Sequence, residues 1–196
     1  MRVVATFFVL VGAVACTAQP AMPKTSTADS STTAVVSGVV PANAIVTLLP
    51  AEGAPPMPAE PAVVDQISKQ FLPSSIIIRP GQPLEFHNSD DLPHNITVTR
   101  RVSGTELFNV STERGQKYVH TFDRLGQYDV RCDIHEGMEA TVIVAAGPVT
   151  TIAADDGRFA LPNIAPGRYK LSVTYAGQTI ERPVEVKSPS TTVTMP

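Results

Sequence analysis

Between Ala62 and Ala146 almost every segment alternates apolar and polar residues, or runs in β-branched ones, between turn signals: SSIIIRPGQ, PLEFHNSDD, HNITVTR, KYVHTFDRLGQ, YDVRC and EATVIVA. No stretch holds the helical period over three turns, so residues two apart must share faces. Such a pattern buries its apolar half only in stacked sheets, and the expected fold is an all-β sandwich. DDGRFALPNIAPGRYKLSVTYAG, Asp155 to Gly177, alternates as well. There Phe159 and Leu161, then Tyr169, Leu171, Val173 and Tyr175, are assigned to one face, with turns at Asp156-Gly157 and Pro166-Gly167.

The chain of 196 residues is 43% hydrophobic with a formal net charge of -3, as expected for one or two ordinary domains. Its basic residues are scattered rather than striped, which sets nucleic-acid binding aside. Met1 to Cys16, MRVVATFFVLVGAVAC, has one arginine, a short apolar run and small residues at its end. That is the pattern of an export signal, too short to span a bilayer comfortably. VGAVAC also resembles the bacterial lipoprotein signal, which implies a lipid anchor on Cys16 and a periplasmic or cell-envelope location. Cleavage by ordinary signal peptidase after Ala15 or Ala18 is the other reading. Thr17 to Thr33 is rich in Ser, Thr, Ala and Pro and reads as a flexible tether.

AVVSGVVPANAIVTLLP, Ala34 to Pro50, reads as two strands about a Pro-Ala-Asn turn, and AEGAPPMPAEP, Ala51 to Pro61, as an extended, stiff piece.

Of two cysteines, Cys16 and Cys132, processing removes, isolates or lipidates the first. Cys132 then has no sulfur partner and is either a buried hydrophobe or a chemical tool. Alternation in YDVRC turns Tyr128, Val130 and Cys132 inward. In PHNITVTR it turns His94, Ile96 and Val98 inward and Asn95, Thr97 and Thr99 outward. With His135 and Met138 close behind Cys132, two imidazoles, a thiolate and a thioether are available. That donor set is the one a blue copper site uses, with sulfur stabilising Cu(I) and imidazole serving both oxidation states. Met138 has the plain alternative of packing at a strand start.

GQYDVRCDIHEGM, with PHN upstream, resembles the cupredoxins, including plastocyanin, pseudoazurin and amicyanin, over roughly Ala62 to Ala146. The resemblance implies an eight-stranded Greek-key sandwich holding one type 1 copper ion on His94, Cys132, His135 and Met138. It also implies that Asn95 ties the two ligand loops together. Asp133-Ile134 and Glu136-Gly137 depart from the family's usual residues, from which a looser, more acidic loop is expected. His87 is read as a solvated strand residue and His120 as a hydrogen-bonded structural one.

ADDGRFALPNIAPGRYKLSV resembles the carboxypeptidase regulatory-like, or transthyretin-like, β-sandwich. That family begins with strands shaped like SGVV and AIVTLLP, here far upstream. The expectation is one discontinuous sandwich, 34–55 with 147–196, and a cupredoxin at 62–146 between its halves. The other reading is a cupredoxin that uses the early strands itself, followed by a separate appendage.

The expected role is transfer of single electrons between redox partners, with no enzymatic activity, since His87 and His120 form no second metal pair. His135, framed by Leu92, Pro93 and Ile134, is expected nearest solvent. Asp90, Asp91, Asp133, Glu136 and Glu139 on the same loops suggest a basic partner or plain solvation. A periplasmic copper carrier or sensor is the alternative function.

Overall fold

A computed structural model describes residues 33–194. The expected leader, Cys16 and all but the last residue of the tether lie outside the described residues. Sixteen strands and no helix occur among the described residues. Two come first, β1 (Ala34–Val39) and β2 (Ile45–Pro50). Nine follow: β3 (Ala62–Ile67), β4 (Gln70–Leu72), β5 (Ser75–Ile78), β6 (Pro83–Asn88), β7 (His94–Arg100), β8 (Thr105–Thr112), β9 (Lys117–Thr121), β10 (Gly126–Arg131) and β11 (Glu139–Val144). The last five are β12 (Thr150–Ile152), β13 (Arg158–Ile164), β14 (Gly167–Tyr175), β15 (Gln178–Val186) and β16 (Ser190–Thr194).

The nine middle strands make two sheets, ordered β5-β11-β10-β7-β8 and β4-β3-β6-β9. They exceed the eight implied by the family resemblance, β4 being a three-residue strand folded back on β3. Alternation sends Val64, Leu84, Phe86, Ile96, Val98, Tyr128, Val130 and Val142 into one shared core. Strand β7 breaks the alternation, with its first five residues all buried. Its edges pair with β10 and β8, its inner face meets the core, and the Asp133 side chain reaches Asn95 and Thr97 on its outer face. Asn95 and Thr97 do lie opposite to Ile96 and Val98, yet they are buried rather than solvated.

The outer strands make two further sheets, β13-β1-β16 and β12-β2-β14-β15. Between them Val36, Val46, Leu48, Phe159, Leu161, Leu171 and Val173 form a second core. Strands β1 and β2 do not pair with each other. Both edges of β1 are taken by β13 and β16, and both edges of β2 by β12 and β14. The Pro41-Ala42-Asn43 stretch therefore carries the chain from one sheet to the other, with Asn43 at φ 61. Strand β2 is buried on both faces, and at its start Ile45 packs outward on Ile143 and Ala145. Gln127 Nε2 donates to the Asn43 carbonyl at 2.6 Å beside this seam. The proline-rich piece has no regular element, and Arg79 Nη1 holds it through the carbonyls of Pro55 (2.7 Å) and Pro56 (2.8 Å).

Tyr175 ends β14 beyond the core and is exposed. His120 packs between the rings of Phe108 and Phe122, each 4.6 Å away, so its surroundings are aromatic rather than a polar bond. Burial pushes its pKa down. His87 is half-buried, its Nε2 2.8 Å from Glu85 Oε2.

Candidate metal centre

Strands β7 and β10 are antiparallel neighbours, with Val98 opposite Val130 and Thr97 opposite Arg131. The first residue of β7 and the residue just past β10 therefore meet at one end of the sheet. These are His94, fully buried, and Cys132, 6% exposed and unpaired. The loop after Cys132 turns back at once. Its N–H donates to the Met138 carbonyl at 3.0 Å, the Met138 N–H reaches the His135 carbonyl at 3.4 Å, and Gly137 takes φ 75 at the bend. This closure returns His135 over the strand ends.

Cys132 Sγ lies 3.8 Å from Nδ1 of His94 and 3.8 Å from Nδ1 of His135, and the two nitrogens are 2.9 Å apart. A point in that plane is about 2.1 Å from all three atoms, close to the roughly 2.0–2.3 Å of imidazole and thiolate bonds to a first-row metal. These three residues form a metal-competent cluster among the described residues. Met138 is buried to 1% in the same core cluster as Cys132, directly after the loop.

His94 Nε2 lies 2.8 Å from Asp90 Oδ2. A carboxylate can only accept, so the proton of a neutral His94 sits on Nε2 and the Nδ1 lone pair faces the sulfur. Asp90 is itself fixed by the N–H groups of Ser68 (2.6 Å) and Lys69 (2.8 Å). The Lys69 N–H, followed by His94 and Ser68, holds its carboxyl below the ordinary range against the opposing effect of burial. Desolvation first, then the charge His94 carries when protonated and that of Lys69, pushes the His135 pKa down against the opposing pull of Asp90, which favours the neutral, ligating ring. Two imidazole nitrogens 2.9 Å apart beside a thiol are spaced to share a cation with the sulfur.

Sequence reasoning missed the scaffold under the 88–94 loop. Gln66, Asn88 and Thr112 are all but fully buried. Gln66 Nε2 donates to the His87 carbonyl and to Thr112 Oγ1, both at 3.0 Å. Asn88 Nδ2 donates to the carbonyls of Leu92 (2.9 Å) and Thr112 (2.8 Å), while its Oδ1 accepts from the Asp90 N–H at 3.0 Å. The available signal was a polar residue on an inward position: Gln66 continues the face of Val64, and Asn88 that of Leu84 and Phe86.

The 133–137 loop is not loose. The Asp133 N–H donates to Asn95 Oδ1 at 2.7 Å, joining the two ligand-bearing segments, and the Asp133 carboxylate is bonded in turn. The Thr97 hydroxyl first, then Asn95 and Arg131, holds that carboxyl far below the usual range. The acids are also less free than their number suggests. Asp91 pairs with Arg114 at 2.6 Å and Asp133 with Arg131 at 2.7 Å. Asp90 faces His94, which leaves Glu136 and Glu139 on the rim.

Residues 61–145 match the family of copper binding proteins described as plastocyanin/azurin. Amicyanin from Paracoccus versutus is 29% identical over 89 residues, which span 45% of this chain and 67% of amicyanin. Plastocyanin from Ulva prolifera is 33% identical over 89 residues, spanning 41% of this chain and 91% of that protein. The crystal structure of Paracoccus versutus amicyanin aligns at 24% identity with a TM-score of 0.41, covering 51% of this chain and 97% of amicyanin. A purple cupredoxin from Nitrosopumilus maritimus aligns at 25% identity with a TM-score of 0.39, covering 43% of this chain and 99% of the other.

Proposed function

Because the chain belongs to the plastocyanin/azurin family of copper-binding proteins, we propose that it carries single electrons between redox partner proteins on one type 1 copper ion. His94, Cys132 and His135 would hold the ion, with the Met138 thioether as a fourth and weaker donor. The observation that carries the reading is the near-equidistant triangle of Nδ1, Sγ and Nδ1 atoms. Copper, when bound, supplies the one-electron couple between its cupric and cuprous states.

The chain's own residues do the rest. Asp90 orients His94, the barrel core excludes water from Cys132, and the short loop fixes His135. A site that cannot rearrange suits both oxidation states, which keeps the cost of electron transfer low. His135 is half-buried, and Leu92, 42% exposed, and Ile134, 55% exposed, lie on the two ligand-bearing loops, so its ring edge gives a short path to a docked protein. Arg114 and Arg131 offset two of the nearby acids, so docking relies on this apolar rim more than on a basic partner.

The export pattern supports a periplasmic or cell-envelope protein anchored through lipidated Cys16, and the role asks for no enzymatic step. The pairing of β1 with β13 and β16, and of β2 with β12 and β14, supports reading 34–55 and 147–196 as a carboxypeptidase regulatory-like sandwich around the copper domain. The test is the absorption and paramagnetic resonance spectrum of the copper-loaded protein. Intense thiolate-to-copper charge transfer that vanishes in Cys132→Ser supports the reading, and a colourless oxidised holoprotein overturns it. Copper retained through repeated redox cycles separates an electron carrier from a copper carrier or sensor.

A further inference from the structure

Asp133 stands directly after Cys132, and its side chain folds back over the outer face of three adjacent strands. One carboxylate oxygen, Oδ2, accepts from Asn95 Nδ2 at 2.9 Å, Thr97 Oγ1 at 2.6 Å and Asn109 Nδ2 at 3.0 Å. The other, Oδ1, accepts from Arg131 Nε at 2.7 Å. The sheet makes this convergence possible, because Thr97 lies opposite Asn109 of β8 on one side and Arg131 of β10 on the other. The Asp133 N–H closes the ring onto Asn95 Oδ1. Thr97 and Asn95 are polar and almost wholly buried; the carboxylate takes the Thr97 hydroxyl proton in a hydrogen bond and shares the Asn95 amide with Thr97 Oγ1 and Asn109 Oδ1.

We infer that Asp133 is a positioning residue of the site, an anionic clasp that locks the Cys132–Met138 loop to β7 and β8 and places a negative charge one residue from the thiolate. No other side chain on the loop bonds to the outer face in this way among the described residues. Three neutral donors on one oxygen hold a carboxylate more firmly than a hydroxyl in its place, since a hydrogen bond to an ionised acceptor is roughly twice as strong. Two separable effects follow. The clasp limits movement of His135 relative to His94, and the charge favours the more positive, oxidised state of the centre. Arg131 is half-exposed and offsets that charge only in part.

The first effect is independent of copper, and the second rests on the proposed function above. In the metal-free protein, Asp133→Ala is expected to speed amide hydrogen exchange of residues 133–138 by about 10–100-fold while β6 and β9 keep their protection. Unchanged loop protection overturns the clasp. Where that variant fails to fold, Asn109→Ala removes one exposed donor and should give a smaller acceleration in the same amides. In the copper-loaded protein, Asp133→Asn keeps an acceptor oxygen and removes the charge. Its charge-transfer band should persist while the reduction potential rises. A potential that stays or falls overturns the electrostatic half. A wild-type protein that takes up no copper defeats the copper reading and leaves the exchange result standing.

Discussion

Asp90→Ala separates what orients a ligand from what merely stabilises its surroundings. Asp90 accepts from His94 Nε2 at 2.8 Å and from the N–H groups of Ser68 and Lys69 at 2.6 and 2.8 Å. Ser68 and Lys69 form the β3–β4 turn with φ of 54 and 57, a region costing non-glycine residues about 1–2 kcal/mol each. The carboxylate thus props a strained turn and also fixes the tautomer and direction of a fully buried imidazole. Removing it should lower copper affinity about 10–100-fold, or about 1.4–2.7 kcal/mol. It should also lower the stability of the metal-free protein by about 1–2 kcal/mol, since water replaces part of what the turn loses. Competition against a chromophoric Cu(I) chelator reads the first and urea unfolding the second. Lys69→Gly relieves the turn alone, so adding it to Asp90→Ala should restore stability and leave the affinity low. Recovery of both would show that Asp90 acts only through the turn, and an unchanged affinity in Asp90→Ala would refute its hold on His94.

Gly157 has φ 80, and an added Cβ would meet the Val40 carbonyl oxygen at 2.2 Å. Gly157→Ala should therefore cost about 2–4 kcal/mol in urea unfolding while leaving the copper spectrum unchanged, because the clash lies in the second sandwich. Proteolytic cleavage within Ala51–Pro61 should leave two fragments that co-elute under native conditions, since β1 and β2 remain paired with β13, β14 and β16; separation of a folded N-terminal piece would contradict the insertion. Burial lowers the His120 pKa, so below the ordinary imidazole value of about 6.5 the unfolded chain binds more protons than the folded one. Stability should be full above that pH and fall as pH drops through it, and His120→Phe should flatten the fall when both are unfolded in urea at a series of pH values. Because Arg114 and Arg131 offset Asp91 and Asp133, association with a redox partner should weaken only about two- to threefold between low and physiological salt, whereas Ile134→Asp should weaken it at every ionic strength; a steep salt slope measured by stopped flow would restore the acidic docking face.

The parts of the site readable in the sequence are those fixed by a period of two. His94 and Cys132 each share an inward face with apolar neighbours, and a strand end is marked by the loss of that alternation, so their convergence needed only the two strands to be antiparallel neighbours. The unreadable parts depend on register. Asp133 looks like one more loop acid until Thr97 is set between Asn109 and Arg131, and a one-residue slip in either pairing would turn those donors to the opposite face. Likewise Asn95 and Thr97 alternate outward as expected, but whether an outward residue meets water depends on what folds over it, which no strand pattern encodes. Strands β1 and β2 show the same limit, because their Val and Ile runs announce strands without saying that each has both edges filled by segments a hundred residues away. Local pattern thus assigns faces, while long-range pairing decides which polar residues on those faces become ligand supports, and the loop acids of this family of sites need a register before a role can be given to them.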